Sequence, residues 1–186
     1  MARLILHRIE LNGMRIIERQ PLGDERGWFE RLFCDEELRP VLGERRIRQI
    51  NRSFTARRGV VRGLHFQHPP AAEVKIVSCL RGEVFDVAVD LRAGSKTFLQ
   101  WHGEYLSAGN RRALLIPEGF AHGFQTLTED CELLYLHTAA YDAAREDGFD
   151  ALDPRIGIDW PLPISQRSPR DEGLPGVPED FGGVSL

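Results

Sequence analysis

The stretch Lys75-Ile76-Val77-Ser78-Cys79-Leu80-Arg81-Gly82-Glu83-Val84-Phe85-Asp86-Val87-Ala88-Val89-Asp90 decides the fold class. Lys75 to Cys79 is an apolar run, Arg81-Gly82 turns the chain, and from Val84 onward Phe85, Val87 and Val89 alternate with Asp86, Ala88 and Asp90. A period of two sends successive side chains to opposite faces, so the second run reads as a strand with one apolar face. Working outward, turn clusters at Ala93-Gly94-Ser95, Ser107-Ala108-Gly109-Asn110 and Pro117-Glu118-Gly119 separate further strand candidates at Thr97 to Trp101, Arg112 to Ile116 and Leu133 to His137. No long helical pattern interrupts them. Many short antiparallel strands over about residues 47–140 predict an all-β sandwich or jelly roll, with short helices only at its periphery. The Pro- and Gly-rich end, from Asp153, reads as an irregular extension with a loose tail from about residue 175.

With 186 residues, of which 42% are hydrophobic, the chain is the right size for one domain with one sizeable core, so residues 1–186 are read as a single unit. Its 24 basic and 28 acidic residues are interspersed, which offers no basic stripe for nucleic acid and points to a small-molecule partner. No apolar run is long enough to span a membrane, and His7 and Arg8 break the short apolar start, unlike a signal peptide. Cys34, Cys79 and Cys131 lack the close pairing of a zinc or redox motif and read as reduced thiols, consistent with a cytoplasmic protein.

Three residues stand out chemically. His65 lies near Arg62 in Gly59-Val60-Val61-Arg62-Gly63-Leu64-His65-Phe66-Gln67, Lys75 opens an apolar strand, and Tyr135 interrupts another. A histidine base, a lysine stabiliser and a tyrosine acid suit proton abstraction beside a carbonyl. Taken singly, each also fits an ordinary core or surface position.

Five segments alter that balance. Asp24-Glu25-Arg26-Gly27-Trp28-Phe29, Gln49-Ile50-Asn51-Arg52-Ser53 and Arg62-Gly63-Leu64-His65-Phe66-Gln67 are followed by two longer strings, Gly82 to Arg92 and Ile116 to Phe124. Their order and spacing, from Gly23 to about Asp171, resemble the dTDP-4-dehydrorhamnose 3,5-epimerases, cofactor-independent homodimers of cupin type. The resemblance implies inversion of a nucleoside-diphospho-4-keto-6-deoxy sugar at C3, C5 or both through an enolate, with neither metal nor cofactor. It puts His65 on the proton-abstracting base, Asp171 on the carboxylate that orients it, Tyr135 on the acid and Lys75 against the enolate oxygen. Arg26, Gln49, Asn51, Arg62, His122, Glu146 and Arg170 fall on substrate-binding positions, and Tyr141 on the aromatic that stacks on the base. Arg26 and Phe29 would act across the dimer interface.

The chemistry accounts for these types, because a ketone at C4 acidifies both neighbouring hydrogens and a base near neutral pKa is then strong enough. Arginine suits the diphosphate. Three departures stand beside the match: Arg31 where the family usually has Glu, His68-Pro69-Pro70 between the base and Lys75, and one residue inserted between Asn51 and Arg62. Arginine only donates hydrogen bonds, so Arg31 cannot accept one from thymine N3–H as a carboxylate does, which predicts weakened thymine selectivity and makes a cytidine nucleotide an alternative. A single inversion or a keto-isomerisation would use the same residue types. A metal-binding cupin is the other alternative; Pro117-x-Gly119-x-x-His122 resembles half of that motif, but Thr126 stands at its expected Asn and the other half is missing. His65 and His68 are also three apart, whereas paired metal ligands on a regular strand need a spacing of two.

Overall fold

The computed structural model describes residues 2–186. The chain starts with β1 (Leu4–Arg8) and β2 (Arg15–Arg19), turns out into a small hairpin of β3 (Leu22–Asp24) and β4 (Gly27–Phe29), and passes through helix α1 (Asp35–Leu42). Then follow β5 (Gln49–Thr55), β6 (Val61–Gln67), β7 (Lys75–Arg81), β8 (Glu83–Asp90), β9 (Trp101–Ser107), β10 (Arg112–Ile116), β11 (Phe120–Thr126) and β12 (Cys131–His137). A short β13 (Glu146–Gly148) and the one-turn helix α2 (Pro169–Glu172) belong to the C-terminal extension. Two antiparallel sheets result, ordered β1-β2-β10-β7-β12-β5 and β13-β6-β11-β8-β9. This is the all-β sandwich of cupin type that the sequence implies, with β1 and β2 adding to the strands expected from about residue 47. No helix among the described residues is long and apolar enough to cross a membrane.

Three apolar layers hold the sheets. Val77, Cys79, Leu114, Leu133, Ala88 and Phe124 meet between them. Ile76, Leu115 and Leu136 on the outer face of the first sheet pack under Leu38 and Leu42 of α1. On the outer face of the second, Leu64, Phe66, Val87 and Val89 are covered by Phe149, Ile156, Val177 and Val184. The end of the chain therefore differs from the loose tail expected beyond about residue 175: Val184 is buried, its N–H donates to the Leu91 carbonyl at 2.6 Å, and Phe181 packs on Phe149. Apolar side chains at Val177, Phe181 and Val184 cover a sheet face that would otherwise meet water.

Strand β8 is consequently buried on both faces. Asp86, Ala88 and Asp90 are each 0% exposed, so the polar half of its alternation marks buried polar functions and no solvent face. Asp90 also explains why Thr97 to Trp101 is not a strand. Its carboxylate accepts from the Ser95 and Thr97 hydroxyls, both at 2.6 Å, and from the Arg92 N–H and guanidinium. The Leu99 N–H reaches the Asp90 carbonyl at 2.8 Å, which curls residues 95–99 into turns and delays β9 until Trp101. Local carboxylate and hydroxyl bonding overrides β propensity here.

Burial alone would raise the Asp90 carboxyl, but the hydrogen bonds from Arg92, Ser95 and Thr97 outweigh it and hold it at about 2. An unfolded aspartate titrates at about 3.9, so this stabilisation is present above that pH and is lost as pH falls through the folded value. Asp90→Asn is therefore expected to lower stability by about 2 kcal/mol at neutral pH, with the gap from the parent narrowing between about pH 4 and 2. Urea titrations across that range check this; a gap independent of pH would contradict it.

Candidate active site

Between the sheets, where β5, β7 and β12 face β6 and β11, a cleft of about 820 Å3 opens. The register of the first sheet sets one wall. Lys75 pairs with His137, which pairs with Gln49, and the next inward row is Val77, Tyr135 and Asn51. Cross-strand partners share a face, so these polar groups continue the face that buries Val77 and Leu133.

On the opposite wall His65 of β6 is the cross-strand partner of His122 of β11. Arg62 pairs with Phe124, so three steps along β6 span two along β11. That extra residue is a bulge, and it lets Arg62 and His65, which a regular strand would send to opposite faces, both line the cleft. Glycines make it possible. A Cβ on Gly63 (φ +111°) would lie 2.6 Å from the Gly123 Cα and from the His122 carbonyl oxygen, and one on Gly123 would lie 2.7 Å from the Arg62 carbonyl oxygen.

Each titratable group on the walls has a partner of complementary chemistry. The Asp171 N–H donates to the Ser168 hydroxyl at 3.0 Å, capping α2 and turning the Asp171 carboxylate onto β6. There it accepts from His65 Nε2 at 2.8 Å and from the Gly63 N–H at 3.4 Å. Burial would raise this carboxyl, but the hydrogen bond and charge of His65, the Gly63 N–H and the Ser168 hydroxyl outweigh burial and keep it below the usual range. With Nε2 taken by an acceptor, the neutral ring carries its lone pair on Nδ1. His122 Nε2 lies 2.8 Å from a second carboxylate, that of the fully buried Asp86. The Tyr135 hydroxyl sits 3.1 Å from the Ser53 hydroxyl. Burial pushes its pKa well above that of a free phenol, more than the Ser53 hydrogen bond lowers it, so Tyr135 keeps its proton. Lys75 Nζ lies 3.3 Å from Glu73, which also meets His137 Nδ1 at 3.0 Å.

The rim is built from the loop after β12, from β13 and from α2. Gln67 donates to the Ala71 and Ala140 carbonyls and accepts from the Asp142 N–H, fixing that loop. Gln49 accepts from the Tyr141 N–H at 3.0 Å, and the Tyr141 hydroxyl and Arg170 both donate to Glu146 at 2.6 Å. Arg62 donates to the Phe54 carbonyl at 3.3 Å.

This constellation accompanies a family likeness over the whole fold. Residues 8–179 match the family described as dTDP-4-dehydrorhamnose 3,5-epimerase. The chain belongs to that family. It is 41% identical to the dTDP-4-dehydrorhamnose 3,5-epimerase of Sinorhizobium fredii, over 93% of this chain and 91% of that one. It is 40% identical to the dTDP-4-dehydrorhamnose 3-epimerase of Streptomyces niveus, over 90% and 81%. Among solved structures, the Legionella pneumophila dTDP-6-deoxy-D-glucose-3,5-epimerase in complex with dTDP-4-keto-L-rhamnose superposes with a TM-score of 0.90 at 39% identity, over 98% of this chain and 99% of that one.

Within this epimerase fold the cleft gathers His65, Asp171, Tyr135, Lys75, Gln49, Asn51, Arg62, His122, Tyr141, Glu146 and Arg170. Arg26 and Phe29 do not line it. They sit on the β3–β4 hairpin, where the Arg26 side chain is 85% exposed and bonded, among the described residues, only to Asp24, and Phe29 is 71% exposed. Arg31 is paired with Glu37, a carboxylate that also accepts from the Arg3 and Leu4 N–H groups. The sequence reading missed Ser53, Gln67, Glu73, Asp86 and His137. Strand alternation held the signal for three of them: Ser53 continues the face of Gln49 and Asn51, His137 that of Tyr135, and Asp86 is a charge inside an apolar strand.

Gly63→Ala is expected to lower stability by roughly 2 to 4 kcal/mol, because β6 and β11 must separate at the bulge and alanine must adopt a positive φ. Gly182→Ala, with nothing within 4 Å of its Cβ, is the control and stays near parent stability. Urea denaturation of both checks this; equal midpoints would contradict the close approach.

Proposed function

We propose that this chain inverts C3 and C5 of a dTDP-4-dehydro-6-deoxy sugar through an enolate at C4, with the roles that the family resemblance gives. The observation that carries this reading is the pairing of His65 with the buried Asp171 on one sheet, facing the protonated Tyr135 and Lys75 on the other. His65, held by Asp171 through Nε2, removes the proton with Nδ1. The Lys75 ammonium stabilises the charge that develops on the C4 oxygen, a fixed donor acting in a partly water-excluded site. Tyr135, on the opposite wall, returns a proton to the other face of the carbon, which inverts it. His122 and Asn51 line the sugar site, Arg62 and Arg170 suit the diphosphate, and Tyr141, 54% exposed at the rim, offers a face on which the base stacks. The likeness to relatives named for dTDP sugars supports thymidine as the nucleoside, while Arg31, paired with Glu37 through one guanidinium nitrogen, retains further N–H donors and leaves a cytidine nucleotide as the alternative.

The active form in this reading is a homodimer in which the β3–β4 hairpin completes the partner's cleft. Leu22, Trp28 and Phe29 on the hairpin, and Ile50 and Phe54 on the edge strand β5, are each more than half exposed, apolar surface that a partner subunit would cover. The three cysteines are all unpaired, which suits the reducing cytoplasm.

Two experiments test these roles. His65→Ala is expected to lower deuterium exchange at C3 and C5 by about 10²- to 10⁴-fold, whereas Tyr135→Phe still exchanges but returns deuterium without inverting C5. Exchange by His65→Ala at the parent rate would rule out the base, and clean inversion by Tyr135→Phe would rule out the acid. Mixing Arg26→Ala with His65→Ala, each strongly impaired alone, is expected to restore about a quarter of parent activity, since half the dimers would be mixed and each would hold one intact site. No recovery after verified subunit exchange would contradict a shared site.

A further inference from the structure

Glu73 belongs to neither the base pair nor the acid. It precedes β7 with its side chain 7% exposed, and its two oxygens serve two different partners, Lys75 Nζ at 3.3 Å and His137 Nδ1 at 3.0 Å. Lys75 and His137 are themselves cross-strand partners, so the carboxylate closes a triangle across β7 and β12. An ionised carboxylate only accepts, which requires the hydrogen of His137 on Nδ1 and leaves Nε2 of the neutral ring as an acceptor. Nε2 lies 3.5 Å from the Asn51 amide nitrogen, a donor, so both ends of the ring agree on this tautomer. The other groups around the ring are Tyr135, stacked at 6.1 Å, and Gln49, its neutral cross-strand partner on β5.

A lysine at the mouth of a cleft ordinarily extends its ammonium into water. Here Glu73 draws it back, and it also donates to the His65 carbonyl at 3.4 Å, which ties it to the strand that carries the base. Burial would raise the Glu73 carboxyl, but the hydrogen bond from His137 and the charge of Lys75 outweigh it, so Glu73 stays ionised.

The geometry points to Glu73 as a positioning residue for this reaction: its two oxygens hold the Lys75 ammonium at the reacting carbonyl and hold the His137 ring with Nε2 turned to Asn51. The inference rests on Lys75 acting on the enolate oxygen, as in the reading above. Glu73 never touches substrate. It removes the freedom of the group that does, so its loss should appear in the chemical step more than in binding.

The test compares Glu73→Gln and Lys75→Ala with the parent, following deuterium exchange at C3 and C5 of dTDP-4-dehydro-6-deoxyglucose at saturating and limiting substrate. Glu73→Gln is expected to lower kcat by about 10- to 100-fold with KM changed less than about threefold, and Lys75→Ala to be at least as impaired. A kcat for Glu73→Gln within about twofold of the parent, with Lys75→Ala severely impaired, overturns the positioning role and leaves the reading of the site standing. Parent-like kcat in Lys75→Ala overturns both. Should Glu73→Gln fail to fold, nitrogen NMR of His137 in the parent decides: the link requires the neutral ring to be protonated on Nδ1, and a proton on Nε2 overturns it.

Discussion

The one-residue bulge in β6 is the constraint on which the site depends. Without it Arg62 and His65 would point to opposite faces of the second sheet, one into the cleft and one into the apolar layer under the C-terminal extension. The bulge in turn needs two glycines in backbone contact, Gly63 and Gly123, one on each strand. Because the Gly63 N–H also donates to Asp171, the same local geometry that aims the imidazole holds the carboxylate behind it. Backbone shape, side-chain direction and the electrostatics of His65 are therefore one feature of the chain.

A second regularity is the matching of carboxylates to nitrogen groups inside the sandwich. Asp171 faces His65, Asp86 faces His122, and Glu73 faces both Lys75 and His137. A buried ion without a partner is strongly unfavourable, and removing one member of such a pair leaves the other uncompensated. The cleft can thus hold several titratable groups within an apolar fold while each stays oriented. The arginines differ: Arg170, more than half exposed at its side chain, pairs with Glu146 at the rim, whereas Arg62 donates to the Phe54 carbonyl and has no carboxylate partner among the described residues.

Much of this was legible in the sequence, and the particular failures have physical causes. β8 reads directly from its period of two, since alternation is the strand's own geometry, and β7 and β10 read as short apolar runs bounded by turn residues. Thr97 to Trp101 misled because β-favouring residues there are captured by Asp90, a contact that no local pattern displays. The end of the chain looked loose because its buried residues, Val177, Phe181 and Val184, are spaced too irregularly to show a period, although each finds a place on the second sheet. Within the site, the residues that the family resemblance names are, apart from Asp171, those expected to touch substrate. Glu73, Asp86 and Ser53 hold those residues in place, and nothing in the order of letters says which side chains a carboxylate will face until the strands are set in register. Arg26 and Phe29 lie outside the cleft because the β3–β4 hairpin that carries them projects away from it, with both side chains exposed.

In the proposed reaction a single cleft abstracts and returns protons at both carbons beside the C4 carbonyl. The most direct measurement is proton NMR of dTDP-4-dehydro-6-deoxyglucose incubated with the parent protein in D2O. Deuterium is expected at C3 and at C5, together with the appearance of the doubly inverted sugar. Inversion without deuterium at either carbon, or exchange confined to C3 at long incubation, would contradict it.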